Sequence, residues 1–374
     1  MAIVFPAPTQ ADHRVRIAVA ALFVALIATG PVGWFLIDRT TPTLVHEPEL
    51  RLADVLDGSW QKAEEEWLRE MSPPVRFART QFLDFEWLLG LVDNHEVTSA
   101  APGWLFNGES LRTVDRPELA AARRDFWSAV AARSKKDGVR ILVLIAPDKA
   151  RIYPREATGR DALDASRDAI LARGMEEIRA AGLEAIEVEQ AFREHLRAFP
   201  ADPLYARRDT HWNPAAAAIA AGIAVDAVRA TGIDLGPPYT DSLMTPELVS
   251  QTDLVERTLG LGEGTRGGEL LRERHRFAVA ASALGAHPDA RVALVGDSFS
   301  VTNFASLFAV MSGRRLDTAE ARPGSGPWRG LLDVLQRIES GASQARVVLV
   351  VFVERSIAND VWREAAAKAQ GGPR

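Results

Sequence analysis

The chain reads Val292-Ala293-Leu294-Val295-Gly296-Asp297-Ser298-Phe299 at the point that decides its fold. The first four of these residues are apolar and indicate a short buried strand. Gly296 and Asp297 are typical turn residues, and they place Ser298 directly after the carboxyl end of that strand. Open α/β sheets bind their ligands at this position, so Ser298 is the first candidate for a reactive side chain.

The remainder of the chain alternates between strand and helix patterns. The predicted strands cover Val139–Ala146, Leu183–Val188, Arg291–Val295 and Arg346–Val353. The predicted helices cover Glu118–Lys136, Ala162–Ala181 and Pro214–Thr231. Because the strands are apolar almost throughout, both of their faces should be buried, which favours an α/β fold with a mostly parallel sheet flanked by helices. Pro237–Gly268, rich in Gly and Thr, is expected to be irregular.

Composition and charge exclude several classes of protein. The chain has 374 residues, of which 47% are hydrophobic and 25% charged, as expected of a globular protein. Its formal net charge of −6 offers no basic surface for nucleic acid. Because the chain has no cysteine, disulfides, a thiol nucleophile and a cysteine-built metal site are all excluded.

The N-terminal region contains an apolar segment, Ile17–Ile37, of 21 residues without a charge. At about 1.5 Å per residue, a helix of that length covers the roughly 30 Å of a bilayer core. We therefore expect a single transmembrane anchor in the inner membrane, with a cleaved signal peptide as the alternative. Since Arg14 and Arg16 precede the segment, residues 1–16 should form a cytoplasmic tail and the body should lie in the periplasm.

Residues 38–100 are expected to connect the anchor to the main domain. Thr40–Glu49 has the extended, proline-containing character of a tether. Leu52–Leu91 has helical spacing of its apolar residues, and Pro73-Pro74 should divide it into two helices. The domain with the alternating pattern then covers residues 101–374.

A second segment reads Arg208-Asp209-Thr210-His211-Trp212-Asn213-Pro214 and lies just ahead of a predicted helix. A serine hydroxyl needs an adjacent base to act as a nucleophile near neutral pH, and His211 can supply it. Asp209 can hold the imidazole in the required tautomer and stabilise its protonated form. Ser298, His211 and Asp209 are therefore the predicted catalytic residues, and the Ser298 backbone N–H is the predicted oxyanion donor.

Two other chemistries fit parts of this pattern. Gly-Asp-Ser after a strand also occurs in haloacid-dehalogenase-type phosphatases, but these need an Asp-x-Asp nucleophile after an early strand. The early strand here ends in Ile145-Ala146-Pro147-Asp148-Lys149, which lacks that pair. Asp209, His211 and Asp297 can alternatively ligate a metal, although the other histidines show no ligand spacing. We expect neither a metal nor a cofactor.

Four motifs together resemble the alginate O-acetyltransferase family of SGNH-hydrolase-like proteins. They are Gly103-Trp104-Leu105-Phe106, Pro147-Asp148-Lys149 with Tyr153-Pro154, Asp209-Thr210-His211-Trp212, and Gly296-Asp297-Ser298-Phe299. The Asp/His pair precedes the serine here, whereas ordinary SGNH esterases have the serine first. That inverted order is itself a mark of the family.

The resemblance implies a reaction and a set of partners. An acetyl group would pass through an ester of Ser298 to a hydroxyl of an exopolysaccharide, for which alginate, cellulose and other glycans remain open. The acetyl donor would be a separate membrane-bound O-acyltransferase. The residues after Ser298 accommodate a strand and a helix, so we expect no appended carbohydrate-binding module, as in the membrane-anchored members.

Five further residues are candidates for contacts with the substrate or the oxyanion. They are Lys149, Tyr153, Trp212, Asn303 and Arg355. A second oxyanion donor is expected among the asparagines Asn107, Asn213 and Asn303. Two alternatives to the transferase stay open: a carbohydrate acetylesterase with the same three catalytic residues, and a non-catalytic component of a polysaccharide-modification complex.

Overall fold

A computed structural model of the chain describes residues 80–83, 97–98, 100–101, 103–114, 116–236, 238–239, 245–251, 273–279, 283–301, 303–318 and 327–371. Residues 95–254 and 272–374 belong to one unit, whose fold is given below. The second unit, residues 2–94 and 255–271, is described only at 80–83.

The unit contains short and long strands in alternation with helices. The strands are β1 (Val97–Thr98), β2 (Phe106–Asn107), β3 (Arg140–Ala146), β4 (Glu184–Ile186), β5 (Thr245–Gln251), β6 (Glu273–Val279), β7 (Val292–Gly296), β8 (Leu316–Asp317) and β9 (Val347–Val353). The helices are α1 (Gly108–Arg112), α2 (Pro117–Asp137), α3 (Lys149–Ile152), α4 (Pro154–Thr158), α5 (Ala165–Ala180), α6 (Glu189–Ala198), α7 (Pro214–Ala230), α8 (Ser298–Val301), α9 (Phe304–Ser312), α10 (Pro327–Glu339) and α11 (Val361–Ala369). A 3₁₀ helix covers Glu354–Ala358.

Five strands form a parallel sheet in the order β4-β3-β9-β7-β8. The predicted α/β fold with a parallel sheet flanked by helices is therefore confirmed. When β7 is counted as strand 1 and β8, β9, β3 and β4 as strands 2 to 5, the order across the sheet is 2-1-3-4-5. This is a common doubly wound arrangement, in which ligands bind between the first and third strands. In this chain that position lies between the carboxyl ends of β7 and β9.

The central strands bury both faces, which explains their continuous apolar sequences. In β9, Val347, Leu349, Val351 and Val353 pack on the face covered by α7 and α9, whereas Val348, Val350 and Phe352 pack against α2, α5, α10 and α11. Strands β3 and β7 alternate in the same way. Burying apolar surface contributes about 25 cal/mol per Å², so this layered core supplies the main stabilisation.

The expectation of irregular structure over Pro237–Gly268 is wrong in part. Thr245–Gln251 forms β5, which pairs antiparallel with β6, so that Thr245 lies opposite Val279. The partner strand lies beyond Gly268, and this pairing does not appear in local composition because strand formation depends on neighbouring strands as much as on propensity. Strands β1 and β2 form a second antiparallel pair.

Several predictions concern residues outside the described part of the chain. They are the cytoplasmic tail 1–16, the anchor Ile17–Ile37, the tether Thr40–Glu49 and, apart from residues 80–83, the helices within Leu52–Leu91. Within the described part, every helix is too short or too polar to span a lipid bilayer.

The carboxyl ends of β7 and β9 approach closely at Gly296. The two strands pair in parallel with Gly296 opposite Val351, and a Cβ atom at position 296 would lie 1.8 Å from the Val351 carbonyl oxygen. Just beyond, Asp297 Oδ2 accepts the Val353 N–H at 2.8 Å. This part of the turn therefore requires glycine for close approach.

A cluster of buried charged side chains lies where β3 and β9 end. Glu354 is fully buried, and its two carboxylate oxygens accept Arg151 Nη2 and Nε, both at 2.8 Å. Arg167 Nη1 donates to the same carboxylate at 2.9 Å. The backbone N–H of Asp148 donates to Glu354 Oε2 at 2.9 Å, and Arg167 Nη2 lies 3.3 Å from Asp148 Oδ2. These contacts tie α3, α5 and the 3₁₀ helix to the strand ends.

Replacing Gly296 by Ala should destabilise the fold strongly, because the added methyl group would overlap the Val351 carbonyl. We expect a loss of about 3 kcal/mol or more in the free energy of unfolding, measured by urea denaturation. Gly138→Ala is the matched control: Gly138 is also in a glycine-favouring conformation, with φ 65°, but a Cβ there meets nothing within 4 Å. Gly138→Ala should lower the free energy of unfolding by about 1 kcal/mol. Equal losses for the two variants would contradict the close approach.

Replacing Asp148 by Asn should make the free energy of unfolding depend less strongly on pH in the acid range. Burial alone would raise the pKa of Asp148, but the guanidinium groups of Arg355 and Arg167 outweigh it, so that the pKa is lowered. The carboxylate therefore stabilises the fold above the unfolded pKa of about 3.9, and that stability disappears as the pH falls through the folded pKa.

At neutral pH we expect Asp148→Asn to lose about 3 kcal/mol in the free energy of unfolding, because it removes one of the two carboxylates that balance the arginines of this buried cluster. The difference from the parent chain should shrink as the pH falls below about 3.9 and through the lowered pKa of the folded state. Asp168→Asn is the control, because Asp168 also pairs with an arginine but its side chain is 64% exposed. A difference for Asp148→Asn that does not change with pH would contradict the charge assignment.

Candidate active site

The side chains of Asp209, His211 and Ser298 form a continuous hydrogen-bonded chain. His211 Nε2 lies 2.7 Å from Ser298 Oγ, and His211 Nδ1 lies 2.6 Å from Asp209 Oδ1. Ser298 is partly exposed, His211 is 13% exposed and Asp209 is 2% exposed. The structure thus brings together the three residues predicted as catalytic, in the order that nucleophilic catalysis requires.

The chemistry of the groups fixes the direction of each hydrogen bond. An ionised carboxylate can only accept, so His211 Nδ1 carries the proton and donates it to Asp209. The other ring nitrogen of a neutral imidazole is then an acceptor, so the hydroxyl of Ser298 donates to His211 Nε2. This is the tautomer in which His211 can remove the proton of Ser298.

Backbone contacts fix the segment that carries Asp209 and His211. Asp209 Oδ1 also accepts the backbone N–H of His211 at 2.8 Å, which closes a tight turn. Tyr205 and Trp212 form an antiparallel bridge across the loop. Asn213 caps α7 by accepting the N–H groups of the second and third helical residues, as its position before Pro214 predicted.

Ser298 is presented by the turn between β7 and α8. Asp297 Oδ1 accepts the N–H of Phe299 at 2.9 Å, and the Asp297 carbonyl accepts the N–H of Ser300 at 3.0 Å. Burial raises the pKa of Asp297, although its hydrogen bonds from Val353 and Phe299 act in the opposite direction. The ring of Phe299 lies 4.9 Å from the His211 ring and supports it from one side.

The alternative metal site involving Asp209, His211 and Asp297 does not match this arrangement. Both carboxylate oxygens of Asp297 accept backbone N–H groups, and Asp209 Oδ1 is directed at His211. In the described part of the chain, no group of three or more His, Asp or Glu residues is arranged to hold a metal ion.

Three of the further candidates do not occupy the positions that substrate contacts require. Trp212 is fully buried and packs on Phe299 and Phe304, with ring centroids 5.3 and 5.8 Å apart. Tyr153 is 8% exposed, and its hydroxyl accepts the Leu204 N–H at 2.7 Å. The structure thus places both of these predicted substrate contacts in the core, where neither presents an exposed surface. Aromatic side chains near a motif are usually part of the packing beneath it.

Lys149 is also buried, with 3% of the residue exposed. Its ammonium donates to the backbone carbonyls of Leu105 at 2.7 Å, Arg207 at 2.8 Å and Asp209 at 2.9 Å. An ammonium has three N–H donors, and each of these carbonyls can accept one of them. The structure thus places Lys149, predicted as a substrate contact, in a buried position against the loop that carries Asp209.

Arg355 and Asn303 remain candidates. The Arg355 guanidinium lies 5.7 Å from the centre of the Phe299 ring, beside the residue that follows Ser298. Its side chain is 18% exposed and pairs with Asp148 Oδ2 at 3.5 Å. Asn303 begins α9 in the left-handed region, with φ 63°, and is the one described non-glycine residue with positive φ. Such backbone conformations concentrate at functional sites.

A pocket of about 280 Å³ lies beside Arg355. Its charged lining residues are Arg112, Arg116, Arg355, Glu109 and Asp360. Arg116 pairs with Asp360 at 2.8 Å. The lining thus contains three guanidinium groups and two carboxylates, in a chain that is negatively charged as a whole.

Glu354 and Phe299 also contribute to the site, although neither was among the residues predicted from the sequence. Glu354 organises the buried arginines behind the strand ends, and Phe299 separates His211 from Arg355. The sequence does indicate a special position for Glu354, because Glu354 and Arg355 are charged and directly follow the apolar predicted strand Arg346–Val353. No local pattern distinguishes Phe299 from an ordinary core residue.

Comparisons with known proteins agree with this fold. The sequence profile of the SGNH hydrolase-like domain of the acetyltransferase AlgX matches residues 97–353, more than half of the chain. The probable alginate O-acetylase AlgJ of Pseudomonas aeruginosa is 24% identical over 406 aligned residues, covering 97% of each chain.

Two solved structures share the fold. The O-acetyltransferase domain of Pseudomonas putida AlgJ superposes with a TM-score of 0.57 at 21% identity, covering 74% of this chain and 99% of that domain. Pseudomonas aeruginosa AlgX superposes with a TM-score of 0.52 at 19% identity, covering 74% of this chain and 66% of AlgX. The profile match, the parallel sheet and the Asp-His-Ser geometry together show that this chain belongs to the AlgX-type family of SGNH-hydrolase-like acetyltransferase domains.

Proposed function

We propose that the chain is an O-acetyltransferase that transfers acetyl groups to a hydroxyl of an exopolysaccharide through an acetyl ester of Ser298. The observation that carries this proposal is the hydrogen-bonded order Asp209–His211–Ser298, with 2.6 and 2.7 Å between the interacting atoms. Membership in an acetyltransferase family and relatives named as probable alginate O-acetylases support acetyl as the transferred group.

In the first half-reaction, His211 Nε2 removes the Ser298 hydroxyl proton while Oγ attacks the carbonyl carbon of the acetyl donor. The bond from that carbon to the donor oxygen breaks, and the departing oxygen receives the proton from His211. In the second half-reaction, a sugar hydroxyl transfers its proton to His211 and attacks the acetyl carbon. The bond from that carbon to Ser298 Oγ breaks, and Oγ receives the proton from His211. Asp209 stabilises the imidazolium that forms in each step.

The tetrahedral intermediate needs donors for its negative oxygen. Ser298 is the first residue of α8, directly after the turn that follows β7, so its backbone N–H lies beside its own hydroxyl. We propose the Ser298 N–H as the first oxyanion donor and Asn303 as the second. Asn303 is chosen because it begins α9, five residues after Ser298.

The acceptor side of the site is proposed to be the pocket beside Arg355. Arginine recognises carboxylates through paired N–H donors, and the pocket has three guanidinium groups and two carboxylates among its lining residues. A polymer of acidic sugars such as alginate therefore suits this pocket better than a neutral glycan such as cellulose.

The remaining expectations about cellular context belong to the same proposal. Ile17–Ile37 would anchor the chain in the inner membrane, with the catalytic domain in the periplasm. A membrane-bound O-acyltransferase would supply the acetyl group. The apolar length of the segment and the preceding arginines support this placement.

Ser298→Ala, His211→Ala and Asp209→Asn should each reduce acetyl transfer, because each breaks the same chain of hydrogen bonds. We expect losses of at least about 10³-fold for Ser298→Ala and His211→Ala, and a loss for the double variant no larger than that for either single one. The measurement is the rate of release of nitrophenol from nitrophenyl acetate. A Ser298→Ala variant that acetylates polysaccharide normally in cells would instead favour a non-catalytic assembly role.

Transfer and hydrolysis are distinguished by the fate of the acetyl group. Incubation with an acetyl ester and oligouronates should give acetylated sugar, detected by mass spectrometry, because the acceptor hydroxyl replaces water. Release of acetate alone would identify an esterase. Arg355→Gln should reduce transfer to oligouronates about tenfold through the loss of one charge-assisted hydrogen bond. Arg346→Gln, exposed at the other end of the last strand, is the matched control.

A further inference from the structure

The buried ammonium of Lys149 joins three segments that are separate in the sequence. Lys149 extends from the start of α3, directly after β3. Its carbonyl partners lie on the segment before β2, at Leu105, and on the loop that carries the site, at Arg207 and Asp209. The N–H of Leu105 also donates to the Arg207 carbonyl at 2.8 Å. One lysine therefore connects three of the four sequence motifs.

The surroundings of the ammonium keep it in place. Nζ lies 5.2 Å from the centre of the Trp104 ring and 4.8 Å from that of Phe106. These rings cover the charge with their negative faces, which favours a cation in a site from which water is excluded. The backbone that carries Lys149 is fixed as well, because the Asp148 side chain caps α3 by accepting the Ala150 N–H.

The contact with Asp209 is the one that bears on the chemistry. The Asp209 carbonyl accepts a hydrogen bond from Lys149, and the Asp209 carboxylate accepts one from His211. These two contacts fix the backbone and the side chain of the same residue. The position of the carboxylate in turn sets the orientation of the imidazole towards Ser298. A displacement of the Asp209 backbone would be passed directly to His211.

We propose that Lys149 is a positioning residue of the active site, which fixes the Asp209–His211 segment by binding the carbonyls of Leu105, Arg207 and Asp209. This inference rests on the proposed function of Asp209, His211 and Ser298. The side chain acts through these residues and does not contact substrate.

The geometry explains why lysine is needed at this position. The ammonium is compact and directs three donors at three separate carbonyls. Methionine has a similar length but no donor, and it would leave the three carbonyls, of which that of Asp209 is buried, without this partner. The guanidinium of arginine is planar and larger, so its donors do not match the same three directions.

The test compares Lys149→Met with the parent chain by proton NMR of the His211 Nδ1–H, whose downfield resonance reports the hydrogen bond to Asp209. We expect the resonance to weaken or shift upfield in Lys149→Met. We also expect kcat for nitrophenyl acetate to fall about 10²-fold with little change in KM, the effect of a catalytic group displaced by about 1 Å.

Arg123→Met is the matched control for the loss of a buried cation. Arg123 is fully buried and donates to Glu177 Oε1 at 2.8 Å and to the Ile357 carbonyl at 3.0 Å, on the other face of the sheet. Its loss should lower the urea midpoint but leave the His211 resonance and the kcat of the folded protein unchanged. An effect of Lys149→Met on stability alone, as for Arg123→Met, would overturn the proposal.

A rescue experiment covers the case in which Lys149→Met fails to fold. Because the chain has no cysteine, Lys149→Cys can be alkylated selectively with bromoethylamine in denaturant and refolded, which restores an ammonium at nearly the same length. We expect the His211 resonance and kcat to recover with this reagent but not with iodoacetamide, which adds a neutral group. Equal recovery with both reagents would overturn the proposal.

The resonance also separates the two hypotheses. If Ser298→Ala retained full acetyl transfer, the proposed function would fail, while the dependence of the His211 resonance on Lys149 would still be measurable. If the resonance were the same in the parent chain and Lys149→Met, the positioning role would fail, whatever the activity of Ser298.

Discussion

The site depends on how closely two parallel strands approach at their carboxyl ends. At Gly296, β7 lies so near β9 that a side chain would overlap the Val351 carbonyl, and Asp297 then accepts the N–H of Val353. These contacts fix the turn that presents Ser298. A strained or loosely held turn would not keep the serine hydroxyl within hydrogen-bond distance of an imidazole from another part of the chain.

The second half of the site comes from a different loop, and its position is fixed mainly by polar contacts. Lys149 binds the carbonyls around Asp209, while Glu354 gathers Arg151 and Arg167 behind the same strand ends. Buried charges are expensive to desolvate unless each one is paired and hydrogen-bonded. Here the charged groups lie at the strand ends, where the connections diverge. Their hydrogen bonds fix the positions of these connections, as apolar packing does elsewhere in the fold.

The strand order accounts for the unusual order of the motifs. Counted from β7, the sheet has the doubly wound order 2-1-3-4-5, with the serine after the first strand and Glu354 after the third. Of the five strands of the sheet, however, β3 comes first in the sequence, although it has the fourth position in that scheme. The loop with Asp209 and His211 therefore precedes Ser298 in the sequence, although it reaches the same end of the sheet. The inverted motif order is thus a consequence of topology and leaves the geometry unchanged.

The sequence was sufficient for features that depend on local pattern. The long strands β3, β7 and β9 have continuous apolar runs because both faces are buried, and the helix from Pro214 has its cap and proline at the expected positions. The Asp-x-His and Gly-Asp-Ser motifs identified the three residues that the structure brings together. Other features depend on contacts between distant segments, which local pattern does not contain. The pairing of β5 with β6, the burial of Trp212 and Tyr153, and the carbonyl partners of Lys149 are of this kind.

The central claim is that acetyl passes through Ser298, and the most direct measurement is peptide mass spectrometry after brief exposure of the protein to an acetyl ester. The account predicts one acetyl group on the peptide that contains Ser298, which disappears when an oligouronate is added and reappears on the sugar. Acetylation of the sugar without any acetyl on Ser298, at times shorter than one turnover, would contradict it.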